Sequence, residues 1–256
     1  MELRNKIAVV TGGASGLGEA TVRRYVNNGT RCAIFDMNEE RGQNLVNELG
    51  DTVKFYKVDV SDEESTQNAI SETIQDFGAI HICNNFAGIG SAEKTIGKNG
   101  PASLLAFNKT ISVNLIGTFN VARLAAWEMS KNEPVTDSGT RGVIINTASV
   151  AAFEGQVGQI AYSASKGGII SMTLVMARDL ARSGIRVNTI VPGLIHTPLF
   201  EAAPQEVYDS LVKQTLYPKR LGRADEIAHL SQYLVENDYM NGECVRMDAA
   251  IRMQPR

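Results

Sequence analysis

Short β-branched apolar runs alternate along the whole chain with longer segments whose apolar residues recur at helical spacing. The run KIAVVT (6–11) predicts a buried strand. GGASGLG follows it, and then a segment with Ala20, Val22, Tyr25 and Val26 that stops at Asn28-Gly29. The order is strand, glycine turn, helix. RCAIFD, closing on Asp36, predicts a second strand, and a helix from about 38 to 48 comes after it. TVKFYKVDV is the third, with Asp59 and Val60 at its end, and a helix beginning near Asp62 ends near Phe77. AIHICNNFAG, GVIINTAS, IRVNTIVPG and CVRMD complete the strands, with a helix near 224–236 before the last. Such alternation, with no internal linker, predicts a single doubly wound α/β domain over residues 1–256. Its sheet is parallel, of about seven strands, with helices on both faces.

Two helical segments are apolar nearly all round. One is Leu115–Met129, with Ile116, Phe119, Val121, Leu124 and Trp127; the other is Gly167–Leu180, with Ile169, Ile170, Met172, Leu174 and Val175. A sheet covers one face of a helix, so the second apolar face predicts a subunit interface. Two connections are long and polar or proline-containing, about 91–106 and 193–217, the latter with a short helix. They are expected to cover a ligand.

Composition narrows the class. The chain has 256 residues, 43% hydrophobic, and a net charge of −3 without a basic cluster. Nucleic acid and anionic membrane surfaces are excluded as main partners on that basis. Cys32, Cys83 and Cys244 are widely spaced and read as reduced thiols, and the N-terminus enters a strand almost at once. A soluble, cytoplasmic protein is expected. His81, His196 and His229 show no paired spacing, so no metal site is expected.

The glycine turn carries the first chemistry. Gly12, Gly16 and Gly18, with Ser15 and Leu17 between them, let a backbone approach a pyrophosphate at a helix N-terminus. Glu19 stands where a P-loop needs lysine. Asp36, eighteen residues beyond Gly18, matches the carboxylate that accepts ribose hydroxyls in a Rossmann fold. It would repel a 2′-phosphate, so NAD is favoured over NADP. Asp59 and Val60 sit where open parallel sheets bind ligands, although Asp59 could equally cap a helix. Further on, Tyr162 and Lys166 share a helix face at i and i+4, downstream of Ser149. A cation beside a phenol favours its phenolate, which makes tyrosine a usable base. Ser149 lacks the Gly-x-Ser-x-Gly elbow of an acyl-transfer nucleophile.

Together these pieces resemble the short-chain dehydrogenase/reductase family over the whole chain. Thr11, Gly12, Gly16 and Gly18 match its cofactor motif, and Asn85-Phe86-Ala87-Gly88 match Asn-Asn-Ala-Gly with phenylalanine as the second residue. Asn114, Ser149, Tyr162 and Lys166 match the catalytic set. Pro192, Gly193 and Thr197, with Ile195 between them, match the segment that holds the nicotinamide carboxamide. Within the family, RGVIINTASVAAFEGQVGQIAYSASKGGI and NGECVRMDAAIRMQPR resemble the type 2 3-hydroxyacyl-CoA dehydrogenases, and Ala249-Ala250 replace the common Gly-Gly.

The resemblance implies an NAD-linked oxidoreductase. It would take a hydride from the secondary alcohol of a 3-hydroxyacyl-CoA, giving the 3-oxoacyl-CoA. A free secondary alcohol or hydroxysteroid is the alternative substrate, and a non-catalytic subunit the alternative role. Tyr162 would take the proton, with Lys166 lowering its pKa, while Ser149 would bond the substrate oxygen. Asn114 would hold a water leading from Lys166 to solvent, and Gln156 would orient the thioester carbonyl. A homotetramer, or a tetramer with a related chain, is implied as well.

Overall fold

Strand β1 (Ile7–Thr11) is buried at every position, because helices cover both faces of the sheet it belongs to. The computed structural model describes residues 1–197 and 211–255. After β1 come α1 (Gly16–Asn27), β2 (Arg31–Asp36), α2 (Glu39–Leu49), β3 (Val53–Lys57), α3 (Glu63–Phe77) and β4 (Ile82–Asn85). A small hairpin of β5 (Ile96–Gly97) and β6 (Gly100–Pro101) leads to α4 (Leu104–Ile111), a π turn (Ser112–Ile116) and α5 (Gly117–Met129). The rest is β7 (Gly142–Thr147), α6 (Ala151–Glu154), α7 (Ile160–Leu180), β8 (Ile185–Pro192), β9 (Ile195–His196), β10 (Gly222–Arg223), α8 (Ala224–Glu236) and β11 (Cys244–Met247).

Seven strands pair in the order β11-β8-β7-β4-β1-β2-β3, all parallel. This is the doubly wound sheet expected from the alternation. Successive β1 side chains point to opposite faces. Ile7 and Val9 join one core with Val121, Ala125, Met129 and Met176, while Ala8 and Val10 join the other with Val22, Tyr25, Ile227 and Leu234. Each fully buried branched side chain contributes about 1.5–3 kcal/mol. The chain order reverses between β1 and β4, and the crevice at the carboxyl ends of those strands is where such sheets bind ligands.

One boundary differs from the expectation, and one cap is settled. The loop after β4 ends at Ser103, whose side chain accepts a hydrogen bond from Ala106 N and caps α4. The helical run therefore starts at Leu104, eleven residues before Leu115. Its first turn hides the signal, since Leu104 and Leu105 are exposed and no apolar stripe faces the core. At α3 the cap is Asp62, which accepts from Ser65 N, while the Asp59 carboxylate accepts from Ser61 N and Oγ. Of the stretch 193–217, where a short helix is expected, residues 198–210 lie outside the described residues, and residues 211–214 are helical.

Helix α7 is long and apolar enough to cross a membrane by length and composition alone. It packs on β8, with Lys166, Ile169, Thr173 and Met176 buried, and turns Leu174 and Val175 outward. Ile116, Phe119 and Trp127 are likewise exposed beside and along α5.

Candidate active site

The glycine turn joins β1 to α1 by close backbone approach. Gly12 has φ +63°, and a Cβ there would stand 3.0 Å from Ala87 N; a Cβ on Gly18 would collide with the Gly12 carbonyl. Thr11 Oγ1 accepts a hydrogen bond from Ala87 N at 3.1 Å, tying the ends of β1 and β4 together. Between these ends opens a cleft of about 820 Å³ lined by Gly12, Ser15, Gly16, Leu17, Gly18, Asp36, Asp59, Val60, Ala87, Gly88 and Thr197. That volume suits a large ligand. Asp36 anchors its rim by accepting from Ala14 N (3.1 Å) and Asn38 N (2.9 Å). Each carboxylate oxygen keeps a lone pair for a hydroxyl group. The cradle of glycines, the helix N-terminus and the rim carboxylate fit a nicotinamide dinucleotide.

A second cleft, of about 340 Å³, lies beyond the first and shares Leu17, Phe86, Gly88, Ile89 and Thr197 with it. Ser149, Tyr162 and Lys166 line it, with Pro192, Gly193 and Ile195 opposite. Backbone bonds fix these carriers: Ala148 N to Ile190 O, Val150 N to Pro192 O, and Gly193 N to Met247 O. The Thr147 and Ser91 hydroxyls, both of residues lining this cleft, are buried without a hydrogen-bond partner among the described residues, which leaves donors for a polar ligand.

Burial raises the Tyr162 phenol above its ordinary pKa, and a hydrogen bond with Ser149 opposes that rise. Lys166 is buried, and desolvation lowers its ammonium to about 8. Its Nζ lies 5.7 Å from the Tyr162 ring centre and donates to Thr147 O at 2.8 Å. The pairing of phenol and ammonium is as expected, but the expected net lowering of the phenol is not found. Desolvation outweighs the opposing Ser149 hydrogen bond here.

Asn114 is fully buried at the π turn. Its Oδ1 accepts from Ile89 N at 2.8 Å, and its Nδ2 donates to Ile89 O and Ser165 Oγ. Both amide protons are taken, so the side chain pins the loop after β4 against α7. A Cβ on Gly88 would stand 3.2 Å from Asn114 Oδ1 and 3.7 Å from Lys166 Nζ, so the three residues meet at one point.

Two sequence assignments move. Asn85 does not line the nucleotide cleft; its Nδ2 donates to Asn146 Oδ1 at 2.9 Å and bridges β4 to β7 inside the sheet. Gln156 does not line the inner cleft either. Its Nε2 donates to Gln254 O and its backbone N to Gln159 Oε1, and Gln159 is the glutamine in the cleft wall. Sequence reasoning also missed Arg41, Lys109 and Met253, which line one cleft or the other. Arg41 lies in the helix after Asp36, five residues on, and was legible as a cation near the rim. Met253 carried no signal.

Comparison with known proteins agrees with this geometry. The family model for the short chain dehydrogenases matches residues 6–207. A 3-hydroxyacyl-CoA dehydrogenase type-2 of Bos taurus is 51% identical over 255 residues, 99% of this chain and 97% of that protein. The protein of the same name from Drosophila melanogaster is 47% identical over 255 residues, 99% of this chain and 100% of its own. The crystal structure of a 3-hydroxyacyl-CoA dehydrogenase type-2 from Mycobacterium avium superposes with a TM-score of 0.94 at 42% identity, covering 98% of both chains. A dinucleotide cradle opening onto a serine–tyrosine–lysine wall, and likeness over nearly the full length, lead to one assignment: the chain belongs to the short-chain dehydrogenase family and is an oxidoreductase.

Proposed function

We propose that the protein oxidises the secondary alcohol of 3-hydroxyacyl-CoA thioesters to the 3-oxoacyl-CoA, with NAD as its cofactor. The observation that carries this reading is the shared wall between the two clefts. Leu17, Phe86, Gly88, Ile89 and Thr197 border both, so a substrate beside Ser149 and Tyr162 abuts the inner end of the nucleotide site. The names of the relatives supply the substrate class, and Asp36 at the rim supports NAD.

The nicotinamide ring, when bound, supplies the hydride acceptor. The protein's part is proton transfer and orientation. Tyr162, as phenolate, takes the hydroxyl proton of the substrate. Ser149 bonds the same oxygen and stabilises charge that develops on it. Lys166 holds positive charge near the ring, and Asn114 fixes the Ile89 loop and Ser165 around it. Proton transfer of this kind is worth about 10²–10⁴-fold. Orientation of two bound reactants in adjoining clefts supplies much of the remainder.

We also propose a tetramer built through α5 and α7. Phe119, Trp127, Leu174 and Val175 are exposed, and a cavity of about 320 Å³ lies between Phe119, Trp127, Met176 and Leu180. A second apolar helix face of this kind favours burial against another copy or a related chain.

The test is NADH formation with a series of aliphatic and aromatic 3-hydroxyacyl-CoAs, run beside free secondary alcohols and hydroxysteroids. Turnover of the thioesters with NAD is expected. Activity confined to the free alcohols would overturn the substrate assignment.

A further inference from the structure

Residues 251–255 return to the active site through a series of contacts. Ile251 is fully buried and joins a small core with Ala148, Val150, Ile169 and Val191, against which Met253 packs. Ala148 and Val150, the chain neighbours of Ser149, both belong to that core. Met253 itself lines the inner cleft, which Gln159, Ser149 and Tyr162 also line.

The backbone around Met253 is clamped at three points. Met253 N donates to Glu154 Oε2 at 3.2 Å, Gln254 O accepts from Gln156 Nε2 at 3.1 Å, and Pro255 O accepts from Val157 N at 3.0 Å. All three partners belong to α6 and the loop leading into the Tyr162 helix. Glu154 is the hub. It also pairs with Arg246 at 2.9 Å and Arg252 at 3.4 Å, while Asp248 accepts from both arginines. The Arg246 guanidinium stacks over Phe153, 5.4 Å from the ring centre. Arg246 holds the Glu154 carboxyl below its ordinary pKa. A partly buried network of this kind orders a segment better than isolated surface pairs do.

We infer that Met253 is the specificity-determining end wall of the substrate cleft, setting the length of aliphatic chain accepted beyond the reacting carbon, and that Glu154 is the positioning residue that holds it there. Val150 and Leu194 line the same cleft and share the core that Met253 packs against, so the group received beside Met253 is a hydrocarbon. An unbranched thioether fills such a wall adaptably. The inference depends on the proposed thioester oxidation for the identity of the chain's carrier, and not for the existence of the wall.

Substituting Met253 by a smaller and by a larger residue separates a wall from a merely structural role, since only a wall responds in opposite directions. The readout is the ratio of kcat/KM for 3-hydroxydecanoyl-CoA to that for 3-hydroxybutyryl-CoA. An added or lost methylene in an apolar pocket changes kcat/KM by about 10–200-fold. Met253→Ala is expected to raise the ratio by about tenfold, and Met253→Phe to lower it by a similar factor. Glu154→Ala, which frees the backbone of Met253, is expected to raise it as Met253→Ala does. A parallel series from 2-butanol to 2-decanol reads the wall even where no thioester is oxidised, so failure of the substrate reading and failure of this inference are distinguishable. A ratio that stays unchanged in both Met253 variants, or moves the same way in both, overturns it.

Discussion

The Lys166 ammonium stands 5.7 Å from the centre of the Tyr162 ring, yet the hydrogen bond it donates runs to the Thr147 carbonyl at 2.8 Å. The cation thus stands beside the ring with its orientation fixed by the end of β7. Burial keeps the phenol above its ordinary pKa and brings the ammonium down to about 8. Burial sets each group against its charged form.

Tyr162→Phe is expected to lose about 10²–10⁴-fold in kcat while still binding NADH. In the unchanged enzyme, kcat/KM for oxidation should rise with pH, because the raised phenol must lose its proton before it can accept one. Stopped-flow turnover and fluorescence titration of NADH check both. Unchanged kcat in the variant would remove Tyr162 from its role as base.

Lys166 also makes stability depend on pH. Its folded pKa of about 8 lies below the ordinary 10.5, so between those values the unfolded chain binds more protons. Raising pH through that window should stabilise the fold, by linkage. Buried Cys32, Cys83, Tyr25 and Tyr56 have raised values and act oppositely above about pH 9, so the informative quantity is a difference. Urea midpoints of the wild type should gain on those of Lys166→Met across the window. Parallel curves would contradict the buried charge.

Asp36→Ala should weaken NAD binding and relax discrimination against NADP. The reason extends beyond lost repulsion, because Arg41 lines the same cleft and would then meet a 2′-phosphate without a competing carboxylate. Adding Arg41→Ala should reverse the gain in NADP affinity. Titration calorimetry with both dinucleotides checks this, and an unaltered preference in Asp36→Ala would deny the rim its role.

Ala249 and Ala250 stand at φ +50° and +58°, where a Cβ is strained. Left-handed backbone costs about 1–2 kcal/mol per non-glycine residue, and glycine's extra freedom when unfolded returns about 0.4–1 kcal/mol of that. Each Ala→Gly change should therefore stabilise by about 0.5 kcal/mol, or about 1–2 °C in Tm. Calorimetric scans that show a loss would place the strain elsewhere.

Trp127→Asp, on the exposed face of α5, should shift the assembly to smaller species in sedimentation velocity. An unchanged mass would rule that face out as the interface.

Much of this was legible in the sequence where the signal is local. The glycines, Asp36 and the Tyr162–Lys166 pair each lie within one turn or one crossover unit, and residue spacing reads them directly. Asn85 was misplaced because a motif gives a residue type and not the face of the strand it occupies; Asn84 and Asn85 are both buried and bond to different partners, Tyr25 and Asn146. Gln156 lies off the cleft that Gln159 lines because the loop-to-helix junction sets side-chain direction, and nothing in the residues announces that α7 starts at Ile160. Met253 was invisible for a different reason. Its bond to Glu154 spans 99 residues, and no periodicity carries that information.

The π turn at Ser112–Ile116 puts one residue more into the helix than α-helical winding needs, with Gly117 N–H reaching back to the Ser112 carbonyl. One residue corresponds to about 100° of rotation. The stretch carrying Lys109 and Val113 into the nucleotide cleft is thus wound out of phase with the stretch carrying Phe119 and Trp127 outward. A single-residue deletion in the turn would give a more regular helix, and would swing either the cleft residues or the outward face off its target. The irregularity lets one helix serve two surfaces that no continuous α-helix could align.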